Sequence, residues 1–165
     1  MIVADTNIVS TFARIEAIGI LRRHFKGAHL DVTPATFHEL RGAVRVGNVF
    51  LEPVLMSIAV GGDLHLILPT QDEIVSTLDL PISFGAGESE SVAVCRARKG
   101  GRLLTNDKRA KNFCRQNRVP YLDLPRILRA LWREDTCKKQ EVSGLIRAIE
   151  QEPGMVITEK DSIFK

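Results

Sequence analysis

Two short apolar runs each end on an aspartate beside Thr and Asn. Ile2-Val3-Ala4 leads into Asp5-Thr6-Asn7, and Leu103-Leu104-Thr105 leads into Asn106-Asp107. Each reads as a strand that delivers a carboxylate to its C-terminal tip. In one parallel sheet the two tips share an edge, where open α/β sheets bind their ligands. Further acids belong to the same edge. Glu39 lies early in the helix that follows Leu30-Asp31-Val32-Thr33, and Glu88 and Glu90 open the helix after Gly85-Ala86-Gly87.

Carboxylates gathered this way repel, and a like charge within about 4–6 Å raises a carboxyl pKa. A hard divalent cation relieves the repulsion. Mg²⁺ and Mn²⁺ take oxygen ligands and retain waters, and such an ion activates water and stabilises a phosphodiester leaving oxygen. The expected chemistry is therefore metal-assisted phosphodiester hydrolysis at Asp5, Glu39, Glu90 and Asp107, with Glu88 as an additional candidate ligand. Each acid also has an ordinary explanation. Glu88 and Glu90 would complement a helix N-terminus, Glu39 would be a solvated helical acid, and Asp107 would cap its own helix.

Helical geometry bears on the choice between Glu88 and Glu90. At 100° per residue Glu90 shares a face with Ala93, Val94 and Ala97, whereas Glu88 aligns with Val92, Cys95 and Lys99. Small residues pack closest to a sheet, which favours Glu90 as the inward ligand. Thr6, Asn7, Thr105 and Asn106 are placed to orient the carboxylates or a metal-bound water, or simply to serve the turns they occupy.

Positioning these groups requires alternating strands and helices. Strands are expected at Ile2–Ala4, Leu30–Thr33, Leu64–Leu68, Leu103–Thr105 and Pro120–Asp123. Helical spacing marks Ile8–Ile18, Ile20–Phe25, a helix from Pro34 capped by Thr33, Thr70–Leu78 with a Thr70/Glu73 capping box, and Glu88–Lys99. It continues through Asp107–Arg118, Pro125–Trp132 and Glu141–Glu150, while Val49–Val60 reads as helix or buried loop. The alternation predicts a three-layer α/β/α sandwich around a mostly parallel sheet of four to five strands. The whole chain forms one domain, with a core over about residues 1–125 and a helical extension over about 126–165.

Composition narrows the function classes. The 165 residues are 44% hydrophobic and 26% charged, which is ordinary globular usage. Only 5% are aromatic, which leaves few rings for stacking bases. Net charge is +3, but Arg96, Arg98, Lys99, Arg102, Lys108, Arg109 and Lys111 crowd around Asp107. Such a collar suits a polyanion, with Arg96, Lys99, Lys108, Arg109 and Lys111 as the expected contacts; a solvated helix face is the alternative. Cys95, Cys114 and Cys137 show no CxxC spacing, and the four histidines share no i,i+4 pair, so neither a disulfide framework nor a zinc site is expected. No run approaches the roughly 20 apolar residues of a membrane span, which leads us to expect a soluble, cytoplasmic protein. Gly85-Ala86-Gly87-Glu88 lacks the Gly-Lys-Ser/Thr ending of a phosphate loop, so nucleotide binding is not expected there.

Val3-Ala4-Asp5-Thr6-Asn7, Glu39 in Thr-Pro-Ala-Thr-Phe-His-Glu, Gly85-Ala86-Gly87-Glu88-Ser89-Glu90, and Leu103-Leu104-Thr105-Asn106-Asp107 together resemble the PIN-domain nucleases. The toxin-type (VapC-like) and stand-alone prokaryotic members are the nearest in pattern. The motifs are short, and their order across roughly residues 1–125 carries the resemblance. It implies a Mg²⁺- or Mn²⁺-dependent ribonuclease with acids at Asp5, Glu39 and Asp107. The third family position, commonly Asp, maps onto Glu90, with Glu88 beside it; a Glu there departs from the usual pattern. The resemblance also implies an RNA substrate, a homodimer and an antitoxin partner. A catalytically inactive PIN-like module that binds RNA or a protein is the alternative, and a phosphatase-like metal hydrolase on a similar sheet is a remoter one.

Overall fold

The computed structural model describes residues 1–165. Five parallel strands form a single sheet: β1 (Ile2–Ala4), β2 (Leu30–Val32), β3 (His65–Leu66), β4 (Arg102–Leu104) and β5 (Tyr121–Leu122), in the order β3-β2-β1-β4-β5. The register pairs Ile2 with Leu30 on one side and with Arg102 on the other. β1 is thus central, and the strand order reverses between β1 and β4. A crevice at such a switch point is where open α/β sheets place ligands.

Ten helices cover the two faces: α1 (Thr6–Arg14), α2 (Ile18–His24), α3 (Pro34–Arg45), α4 (Glu52–Ala59), α5 (Gln71–Ser76), α6 (Ala86–Ala97), α7 (Lys108–Gln116), α8 (Leu124–Arg133), α9 (Lys139–Gln151) and α10 (Lys160–Ile163). The alternation of side chains along the strands divides the core. Ile2, Ala4, Leu30, Val32 and Leu104 face one layer, where Ile8, Val9 and Phe12 of α1, Leu40 of α3 and Ile127 and Leu128 of α8 bury them. Val3 and Leu103 face the other layer, against Val92–Cys95 of α6 and Cys114 of α7. This is the expected α/β sandwich, with all five strands parallel. Val142, Ile146 and Ile149 of α9 and Ile163 of α10 join the first of these clusters, so the C-terminal residues share the core of β1.

Several elements differ in extent from the sequence reading. The first helix stops at Arg14, because Ile15 and Glu16 leave helical geometry and Glu16 takes a left-handed φ of 55°. Val49–Val60 resolves into a 3₁₀ turn at Val49–Leu51 and then α4; the segment buries Leu51, Val54 and Ile58 and leaves Val49, Met56 and Val60 exposed. The Thr70/Glu73 capping box is present at the start of α5. α10 has no counterpart in the sequence reading; its four residues are too few to show periodicity.

Candidate active site

The two aspartates reach the same edge through the same local device. Asp5 N-caps α1, its Oδ1 accepting the Ile8 amide at 2.8 Å, while its own N–H extends the β1–β4 ladder to the Leu104 carbonyl at 3.0 Å. Asp107 N-caps α7, its Oδ1 accepting the amides of Arg109 at 2.7 Å and Ala110 at 3.0 Å. In both residues the main-chain cap falls on Oδ1. Thr105, fully buried between them, takes the Asp107 amide on its hydroxyl at 3.2 Å and also supports the Asp5 carboxyl.

Glu39 and Glu88 complete the acidic wall, each tied to the Gly85–Gly87 turn. The Gly87 amide donates to Glu39 Oε1 at 2.8 Å, and the Thr6 hydroxyl donates to Glu39 Oε2. The Gly85 amide donates to Glu88 Oε2 at 3.0 Å. A Cβ at position 87 would lie 2.7 Å from Glu39 Oε2, so only glycine permits this approach. Together Asp5, Glu39, Glu88 and Asp107, with Thr6, Asn7, Ser10, Thr11, Arg14, Gly85, Arg109 and Met155, line a cavity of about 450 Å³. Met155 is its single apolar lining residue.

The electrostatics follow from burial and crowding. Burial pushes the Asp5 carboxyl up to about 7; the Ile8 and Thr105 hydrogen bonds oppose this, and the charges of Glu88 and Asp107 add to it. Burial also raises Glu88, reinforced by Asp107 and opposed by the Gly85 amide and Arg109. Asp107 is pushed up by burial too, but the Ala110 and Arg109 amides and the Arg109 guanidinium outweigh that and hold it below its ordinary value. Arg109 stands 3.6 Å from Asp107 and 3.8 Å from Glu88, bridging them. At neutral pH Asp107 therefore holds its charge most firmly, and Asp5 is poised between its two forms.

Glu90 is a correction. Its Oε2 accepts the Ala35 amide at 2.9 Å, at the N-terminus of α3, and it is not part of the cavity wall. Glu88 and Glu90 project about 200° apart on one helix, so one faces the cavity and the other the neighbouring helix. Packing of small residues does not decide between them, because Val92, Ala93, Val94 and Cys95 are all buried. The position of the α3 N-terminus does.

The basic collar also divides. Arg109 lines the cavity, and Lys108 is exposed beside it on the first turn of α7. Lys111 pairs with Asp123 at 3.8 Å. Arg96 and Lys99 lie elsewhere: Arg96 is eight residues, or about 12 Å along α6, beyond Glu88, toward the opposite edge of the sheet, where it reaches the Ser76 carbonyl. Of the polar supports, Thr6, Asn7 and Thr105 touch the acids or the cavity, whereas Asn106 is not in its wall. The sequence reading overlooked Ser10, Thr11 and Arg14. Their signal was available, since they follow Asn7 at i+3, i+4 and i+7 and form a polar stripe opposite Ile8, Val9 and Phe12.

The donors are all oxygens, which suits a hard divalent cation in type. As the side chains stand, no three Asp, Glu, His or Cys residues are close enough to hold an ion. No family model, curated protein or solved structure matches the chain.

Proposed function

We propose that the protein is a Mg²⁺- or Mn²⁺-dependent endoribonuclease of PIN-like type, acting at the cavity formed by Asp5, Glu39, Glu88 and Asp107. The observation that carries this reading is the arrival of four carboxylates from four separate segments at the switch point between β1 and β4. Burial and mutual repulsion raise Asp5 to about 7. Carboxylates with raised values gathered in a cleft mark a candidate functional site.

A bound divalent cation would supply charge neutralisation and an activated water. Asp5, Glu88 and Asp107 would hold it once their side chains draw together, and Glu39, fixed by Gly87 and Thr6, would accept a hydrogen bond from the attacking water. Arg109 and Lys108 stand where the RNA backbone would pass. Oligomeric assembly and pairing with an antitoxin belong to the same proposal and rest on the resemblance of the motifs alone.

One observation favours a non-catalytic module that binds RNA or a protein partner. Arg109 already neutralises Glu88 and Asp107, and the acids stand too far apart to hold an ion unaided. Incubation with structured RNA and Mn²⁺, beside the Asp5→Asn/Asp107→Asn variant, separates the two readings. Cleavage that vanishes in the variant supports the enzyme. Binding without cleavage across a range of RNAs supports the module.

A further inference from the structure

Two arginines stand in the cavity wall, and their counter-ions differ in origin. Arg109 is held by the cavity's own acids, Glu88 and Asp107. Arg14 ends α1, on the stripe that begins at Asn7, and its guanidinium lies 4.1 Å from the centroid of the Phe50 ring. Its anion is Glu152, at 3.2 Å, which is not a wall residue and follows the last turn of α9.

The turn that carries Glu152 is anchored on both sides. Before it, Ile149 is buried; after it, Ile157 is buried and α10 is tied down by the Trp132 indole, which donates to the Ile163 carbonyl at 2.7 Å. Between these anchors Pro153 and Gly154, the latter at φ +76°, turn the chain so that Met155 reaches the cavity while Glu152 meets Arg14. The Arg14 and Glu152 side chains are 38% and 30% exposed, and an ion pair this open to water is weak and exchangeable. An arginine packed over an aromatic ring keeps N–H groups that can donate to phosphate oxygens, singly or in pairs.

The geometry points to Arg14 as the residue that holds a substrate phosphate at the cavity rim, with Glu152 as an intramolecular competitor for the same guanidinium. The C-terminal turn thereby tunes how tightly a polyanion binds. This rests on reading the cavity as an RNA phosphodiester site, and it adds a binding residue and a restraint on it, both outside the four acids.

The test is binding of a fluorescein-labelled single-stranded oligouridylate, followed by anisotropy in chelator, so that no cleavage is required. Arg14→Gln is expected to weaken binding about five- to ten-fold and to lower the slope of log K against log salt by about 0.7, one phosphate contact on a single strand. Glu152→Gln is expected to tighten binding about three-fold, the scale of an exposed ion pair. The double variant is expected to match Arg14→Gln alone, because a merely electrostatic gain from losing Glu152 would persist without Arg14. Absence of tightening, a gain that survives in the double variant, or no binding by any variant overturns the inference. Thermal melts of each variant exclude unfolding as the cause. If this binding pattern holds and the wild type does not cleave RNA with Mn²⁺, the enzyme reading falls and the phosphate site stands; cleavage by the wild type without the pattern has the reverse meaning.

Discussion

Gly87 and Glu39 are fitted to each other: the glycine amide donates to Oε1 at 2.8 Å, and the carboxylate occupies the space that a Cβ would need. Gly87→Ala therefore pushes the Glu39 carboxyl out of place while leaving the backbone intact, because the displaced group is the end of a flexible side chain. RNA cleavage should fall at least ten-fold, with a stability change within about 1 kcal/mol, since alanine is also the better helix former. Gly144, inside α9 with open space around its Cβ position, provides the contrast. Gly144→Ala should stabilise by roughly 0.5–1 kcal/mol in a denaturant melt and leave cleavage unchanged.

Asp5 imposes a pH dependence on the metal-free protein. Its folded-state value of about 7 lies above the ordinary 3.8, so folding favours the protonated carboxyl. That contribution is complete below about pH 4 and is lost as pH rises toward 7. At pH 8 ionising the buried group costs up to about 4 kcal/mol. In chelator, Asp5→Asn should therefore raise Tm at pH 8 and leave it nearly unchanged at pH 4. With millimolar Mn²⁺ the wild type should recover the difference and the variant should not. A Tm gain of equal size at both pH values would contradict this account.

Glu88 and Glu90 should separate by phenotype. Glu88→Gln removes a cavity carboxylate and should abolish cleavage with little change in Tm. Glu90→Gln should cleave normally but lose about 0.5–1 kcal/mol, because its charge complements the α3 N-terminus through the Ala35 amide. Parallel cleavage assays and urea melts decide the matter.

Away from the site, Arg98 binds Glu73 in two hydrogen bonds of 2.6 and 2.7 Å and reaches the Leu68 carbonyl at 2.9 Å. The hydrogen bonds from Arg98 hold the Glu73 carboxyl below its ordinary value. The stabilisation is thus present above the ordinary carboxylate range and is lost as pH falls through the lowered folded value. Arg98→Ala should cost about 2 kcal/mol at pH 7, measured by urea melt, and less in acid.

What could be read from the sequence was local. Asp5, Thr33, Thr70 and Asp107 cap helices through neighbours two or three residues away, so strand tips and helix starts were visible in short windows. Helical periodicity and alternation were enough to assign the sandwich. Whether Glu88 or Glu90 faces the cavity depends on where α3 begins, 55 residues from Glu90, and no property of α6 encodes it. Arg96 and Lys99 are neighbours of Asp107 in sequence yet lie toward the other end of α6, because a crossover helix carries its two ends to opposite edges of the sheet. The Arg14–Glu152 pair joins residues 138 apart. Only the α1 half of it, the polar stripe from Asn7, lay within reach of a periodicity argument.

The central place of β1 has a consequence during synthesis. The strand that carries Asp5 is made first, but its neighbour on the Asp107 side, β4, is made about a hundred residues later. At translation rates of about 5–20 residues per second, the N-terminal half spends several seconds with one flank of β1 open. Throughout that interval Asp5 has neither Thr105 nor Asp107 beside it. A partly made chain still on the ribosome, itself an assembly of RNA, therefore carries no assembled acidic centre beside that RNA.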